Sequence, residues 1–128
     1  MKLLSLIVPV LNEEEAIPLF YEAVQEVLHD EPYELEILFV DDGSTDRTLE
    51  IIEGLHARDP RVRAISFSRN FGKELALAAG LQAARGDAVV PMDVDLQDPP
   101  ALLQRFLRLW EQGYETVIGV RSRRDADS

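Results

Sequence analysis

Two aspartates, Asp93 and Asp95, stand on either side of one valine directly after the apolar run Ala88–Met92. Where a strand opens into a loop, both carboxylates can turn toward one ion. Hard cations such as Mg²⁺ and Mn²⁺ take oxygen ligands of this kind and usually keep water and substrate phosphate in their remaining positions. Asp-x-Asp is also an ordinary turn and helix-capping composition, so it is the position after a strand that turns the pair toward metal.

A second acidic cluster, Asp41-Asp42-Gly43-Ser44-Thr45-Asp46, follows the apolar stretch Glu36–Val40. Gly43 suits a turn, and Ser44, Thr45 or Asp46 suits the cap of the helix that follows. Capping needs one carboxylate, however, and two adjacent acids repel. Asp41 or Asp42 is therefore expected to accept hydrogen bonds from a nucleobase N–H or a ribose hydroxyl. Of Glu13, Glu14 and Glu15, the last two complement the dipole of a helix start, while Glu13 is assigned to the site; Pro9 and Asn12 shape its loop. The basic loop Arg69-Asn70-Phe71-Gly72-Lys73 opens another helix, so that Arg69 and Lys73 make an anion-facing edge in an otherwise acidic chain. His29 and His56, near helix ends, read as surface residues, and Met92, Leu103, Phe106 and Trp110 as core. Neither GxGxxG nor GxxxxGK[ST] occurs, which removes the main support for dinucleotide-binding and P-loop readings.

These clusters need elements to position them. Apolar runs predict strands at Leu4–Pro9, Glu36–Val40, Val62–Phe67, Asp87–Met92 and Thr116–Val120. Helical spacing predicts helices at Ala16–His29, Thr45–Arg58 and Lys73–Arg85, the last closed by Gly86 as a left-handed cap, and a fourth from an Asp98 N-cap through Pro99 and Pro100 to about Gln112, ending at Gly113. Strand–helix alternation of this kind implies an α/β fold with a mostly parallel sheet and helices on both faces. In such a sheet ligands bind at the carboxyl ends of the strands, where all four polar clusters fall.

The 128 residues suffice for one domain with a hydrophobic core, and 46% hydrophobic with 29% charged residues is a globular composition. Cysteine is absent, which excludes disulfides and thiolate metal sites. A net charge of −11 argues against a nucleic-acid partner. An acidic chain can still bind a phosphorylated small molecule if a divalent cation lies between them. No apolar run reaches the roughly 20 residues that span a bilayer, and the opening MKLLSLIVPV reads as a buried strand.

Four motifs in order resemble family 2 glycosyltransferases: Ile7-Val8-Pro9-Val10-Leu11-Asn12-Glu13-Glu14, Val40-Asp41-Asp42-Gly43-Ser44-Thr45-Asp46, Ser68-Arg69-Asn70-Phe71-Gly72-Lys73-Glu74 and Met92-Asp93-Val94-Asp95-Leu96-Gln97-Asp98-Pro99-Pro100. The third and fourth resemble the branch that moves a sugar from UDP or GDP onto a polyprenyl phosphate. The resemblance implies a GT-A fold, with sheet and helices truncated after about five strands, and a metal-dependent, inverting sugar transfer. It implies that Asp95, assisted by Asp93, holds Mg²⁺ or Mn²⁺ on the donor diphosphate, with Val94 between them. Pro9, Leu11, Asn12 and Glu13 would line the nucleoside pocket, Asp41 or Asp42 would read the base or ribose, Lys73 and Gln97 would lie near the base or diphosphate edge, and Arg121 would reach the phosphates.

Members of that family continue well beyond a length of 128 residues, so residues 1–128 are expected to be the donor-binding part only. The acceptor-binding part, the carboxylate acting as base and any membrane helices would lie further on, and these residues would bind donor without turnover. The expected partners are a UDP- or GDP-sugar, a lipid phosphate in the full-length protein and a possible second copy. The expected location is the cytoplasm, facing the inner membrane. A non-catalytic nucleotide-binding or assembly module is the alternative. A receiver domain of the response-regulator type is disfavoured, because the third strand ends in Phe67-Ser68 without an aspartate and no lysine follows the fifth.

Overall fold

A computed structural model describes residues 2–95 and 101–113. The elements in chain order are β1 (Leu3–Val10), α1 (Ala16–Leu28), β2 (Glu34–Asp41), α2 (Thr48–Arg58), β3 (Val62–Ser66), α3 (Lys73–Ala83), β4 (Ala88–Pro91) and α4 (Ala101–Glu111). The four strands form one sheet in the order β3-β2-β1-β4. Every pairing is parallel: Leu3 to Val10 face Glu34 to Asp41, Leu4 to Ile7 face Ala88 to Pro91, and Ile37 to Asp41 face Val62 to Ser66. The expected strand Thr116–Val120, the cap at Asp98 and the residues Gln97 and Arg121 lie outside the described residues.

The central strands explain why β1 and β2 read as unbroken apolar runs: a strand covered on both faces has no polar side to show. On one face Leu4, Leu6, Val8 and Val10 join Leu35, Ile37 and Phe39 beneath Ile17, Phe20 and Val24 of α1, Ile52 and Leu55 of α2, and Leu103 and Leu107 of α4. Phe20 meets Phe39 edge-on, with ring centroids 6.0 Å apart. Met92 and Leu103 are buried here and Phe106 and Trp110 pack against them, as the sequence reading expects. The other face carries α3 over Ile7, Leu38 and Val40. That helix lies very close to the sheet at Gly80, where an added Cβ would sit 2.3 Å from Ile7 Cγ2.

Below α3, toward the starts of the strands, a polar group is buried instead of an apolar one. Glu36 accepts hydrogen bonds from Ser5 Oγ (2.6 Å), Arg63 Nη1 (2.6 Å) and the Arg85 N–H (2.9 Å), and Ser5 Oγ accepts one from the Gly86 N–H (2.9 Å). This corrects the reading of Gly86. It is not a left-handed cap; α3 ends two residues earlier than expected, and Gly86 is required because a Cβ there would meet Ser5 Oγ at 2.5 Å and the Ser5 nitrogen at 2.8 Å.

Burial pushes the Glu36 carboxyl up, but the bonds from the Arg85 N–H, Ser5 and Arg63 outweigh it and leave the group below its ordinary value of 4.5. The Arg61 guanidinium holds Asp59 well below the usual carboxylate range, against the effect of burial, with the Tyr21 hydroxyl adding to it. Around pH 4 the folded protein therefore binds fewer protons than the unfolded chain at both positions. Stability supplied by these two groups should be complete above about pH 5 and decline as acid protonates them. Urea titrations from pH 7 downward should show this decline, and Glu36→Gln should flatten it.

Candidate active site

The carboxyl ends of β1, β2 and β4 and the start of α3 enclose a cleft of about 340 Å³, lined by Pro9, Val10, Leu11, Glu13, Asp42, Asn70, Gly72, Lys73, Asp93, Val94 and Asp95. Eight of the residues singled out from the sequence thus meet in one place. Val10, Asn70 and Gly72 were not singled out as site residues. Asn70 and Gly72 lie inside the basic loop, and a glycine and an amide carry no charge pattern that would mark them.

The loops around the cleft are fastened to one another through side chains. Asn12 takes the left-handed conformation (φ 54°). Its Oδ1 accepts from the Thr45 N–H (2.8 Å) and the Asp46 N–H (3.3 Å), while its own N–H donates to Ser44 Oγ (2.8 Å). Asn12 therefore ties the β1 loop to the β2 loop and is not among the cleft's lining residues. The structure begins α2 at Thr48, three residues later than expected, after a loop in which the Thr45 and Asp46 N–H groups donate to Asn12. Asp46 then serves the helix start, with Oδ1 accepting from the Thr48 N–H (2.9 Å) and Thr48 Oγ1 (2.5 Å).

The adjacent acids divide their work. Asp41 is buried, and its Oδ1 accepts from the Ser44 N–H at 3.0 Å, closing the turn; it is not among the lining residues. Asp42 lines the cleft, and its two oxygens accept from the Phe71 N–H (2.8 Å) and the Gly72 N–H (3.1 Å). That grip fixes the loop that starts α3. Gly43 fits between them only as glycine: its φ is 83°, and a Cβ would lie 2.3 Å from the Arg69 carbonyl carbon and 2.5 Å from the Asn70 nitrogen. Arg69 points along the loop, its guanidinium over the Phe71 ring at 4.7 Å.

Lys73, the first residue of α3, places Nζ 3.1 Å from Asp93 Oδ1; the lysine side chain is 54% exposed and the aspartate 13%. Asp95 is exposed beyond it. Burial raises the Glu13 carboxyl, and the charges of Asp95, Asp46 and Asp93 raise it further. A third carboxylate thus feels the Asp-x-Asp pair, and the floor of the cleft concentrates negative charge. Such oxygen donors, without His or Cys, fit a hard divalent cation. Among the described residues no three His, Cys, Asp or Glu side chains stand close enough to hold an ion by themselves, so Asp93 and Asp95 would hold it together with phosphate and water.

The arrangement defines a class: a parallel α/β sheet with an acidic, phosphate-compatible cleft at its strand ends. Residues 5–128 match the profile described as Glycosyl transferase family 2, and the chain belongs to that family. It is 53% identical over 124 residues to a bactoprenol glucosyl transferase of Shigella phage SfX, a match covering 97% of this chain and 41% of the relative. The chain thus spans about two-fifths of the length of the curated relatives it matches. Among solved structures it is similar to a mannosyltransferase from Pyrobaculum calidifontis in complex with GDP-mannose and Mn²⁺, at 28% identity and a TM-score of 0.57 over 75% of this chain and 32% of that one. It is also similar to glucosyl-3-phosphoglycerate synthase from Mycobacterium tuberculosis in complex with UDP, at 29% identity and a TM-score of 0.58 over 80% and 38%. The sheet and its helices are those of the GT-A fold. Among the described residues no helix is long and apolar enough to cross a membrane.

Proposed function

We propose that residues 1–128 form the donor-binding part of a glycosyltransferase that transfers a sugar from a UDP- or GDP-sugar to a lipid phosphate, with inversion and with help from Mg²⁺ or Mn²⁺. The observation that carries this reading is the meeting of Glu13, Asp42, Lys73, Asp93 and Asp95 in one cleft at the strand ends. Pro9 and Leu11 offer an apolar wall to a flat base, and Asp42 keeps the opposite wall, the loop before α3, at a fixed distance. Asp93 and Asp95 would hold the cation beside the donor diphosphate, and Lys73 would add a positive charge near the departing phosphates. When bound, the cation supplies Lewis-acid stabilisation of the leaving diphosphate. Inversion follows from in-line attack on the face opposite that diphosphate. A phosphate acceptor is already anionic, so positioning contributes more than a strong base.

The lipid-phosphate acceptor is supported by the name of the phage relative, whose remaining length leaves room for acceptor-binding residues. On this reading the 128 residues bind donor without turnover, and the whole enzyme works at the cytoplasmic face of the inner membrane. Calorimetric titration with UDP and with GDP, each with and without Mn²⁺, tests the donor site. Binding of one nucleotide only when metal is present is the expected result. Equal affinity with and without metal would remove the cation from the reading, and no binding of either nucleotide would favour a scaffolding role.

A further inference from the structure

We propose that Lys73 is a built-in stand-in for the cation, neutralising Asp93 while the cleft is empty and moving to the donor diphosphate when metal and nucleotide arrive together. The inference rests on the donor-site reading above and adds an order of events to it.

Three observations support it. First, Lys73 occupies a position that α3 itself disfavours. A positive side chain at the first residue of a helix faces the positive end of the helix dipole, and the ion pair with Asp93 at 3.1 Å offsets that repulsion. Second, the two partners differ in exposure. Asp93 is mostly covered and sits at the end of β4, whereas the lysine side chain is half-exposed on a flexible four-carbon stem. Water reaches the ammonium side of the pair, which weakens it and lets another anion compete for the lysine. Third, the backbone under Lys73 is fixed although its side chain is not. Asp42 holds the N–H groups of Phe71 and Gly72, so Nζ can swing about a set point between Asp93 and the cleft both residues line. The start of α3 beside it favours a phosphate group as the alternative partner.

The consequence is that metal alone competes with an ammonium for Asp93, whereas metal accompanied by a diphosphate offers that ammonium a better partner. Lys73 thereby makes the cleft favour the metal–nucleotide complex over the bare ion, and the two effects have opposite signs.

Lys73→Met separates them. Without nucleotide, Mn²⁺ affinity, read from the electron paramagnetic resonance signal of the free ion, should rise about fivefold. With Mn²⁺ present, affinity for whichever of UDP or GDP binds should fall about tenfold or more by calorimetry. Lys73→Arg, which keeps the charge, should hold Mn²⁺-only affinity close to that of the wild type. Thermal unfolding of Lys73→Met close to the wild type shows that the variant is folded, and Lys73→Met in an Asp93→Asn background should not raise Mn²⁺ affinity, which separates the stand-in role from a general gain of negative charge. If Lys73→Met leaves Mn²⁺-only affinity unchanged or lower while the wild type binds nucleotide with Mn²⁺, the stand-in role is overturned and the donor site survives. If the wild type binds neither nucleotide in the presence of Mn²⁺, both readings fall.

Discussion

Replacing Asp95 by alanine should abolish metal-dependent nucleotide binding while leaving the protein folded. Asp95 lies at the exposed edge of the cleft, outside both hydrophobic clusters, so little packing is lost with its carboxylate. Its electrostatic role is large by comparison: it shares the cleft with Asp93 and raises the Glu13 carboxyl by its charge. Asp95 would be one of two carboxylates holding the cation, and a loss of about 2.7 kcal/mol already means a hundredfold weaker affinity. Calorimetry with Mn²⁺ should find affinity reduced at least that far, with thermal unfolding close to the wild type. Undiminished Mn²⁺-dependent affinity in Asp95→Ala would sink the metal assignment.

The second large effect is expected at a residue without a side chain. Gly43→Ala puts a Cβ against backbone atoms of Arg69 and Asn70, which cannot step aside as a flexible side chain could. The left-handed conformation costs an alanine about 1–2 kcal/mol, and overpacking adds about 1–3 kcal/mol. Urea unfolding should therefore show a loss of about 2–5 kcal/mol. The strain falls between the two loops that Asp42 joins, so nucleotide binding should weaken together with stability. A variant of wild-type stability would show that the Asp41–Asp46 and Arg69–Lys73 loops are not in the contact described.

The parts that were legible in the sequence and the parts that were not differ for physical reasons. β1 and β2 stand out because burial on both faces leaves only apolar residues. Lys73, Asp93 and Asp95 stand out because they gather charge of both signs where a strand ends and a helix begins, on the edge of a parallel sheet where ligands bind. The start of α2 differs from the expectation because Thr45-Asp46-Arg47 is acceptable helix sequence, and nothing local shows that Asp46 turns back to take the Thr48 N–H while Thr45 and Asp46 donate to Asn12, more than thirty residues earlier in the chain. Asp41 and Asp42 could not be told apart, since the turn that points one inward and the other into the cleft is set by the chain around them. Asn12 carries a clue in its residue type: asparagine is among the few residues that readily adopt a positive φ, which here serves the tie between loops. Gly86 was misread because a glycine near a helix end satisfies two demands, conformational freedom and close approach, and only the second applies.

The two layers over the sheet differ in a way that bears on how the cleft behaves in time. Among the described residues three helices share a continuous core on one face, whereas α3 alone covers the other, packed on Ile7, Leu38 and Val40 and tied by Asp42 at its start and by the buried Glu36 group at its end. A helix attached in this manner is the natural candidate for a separate cooperative unit, one that can lift away while the three-helix layer stays intact. Lifting it removes Lys73, Asn70 and Gly72 from the cleft at a stroke. Occupancy of the cleft and adherence of α3 are then linked equilibria: whatever binds between α3 and the Asp93–Asp95 pair also clamps the helix down, by a free energy that grows with the logarithm of its concentration.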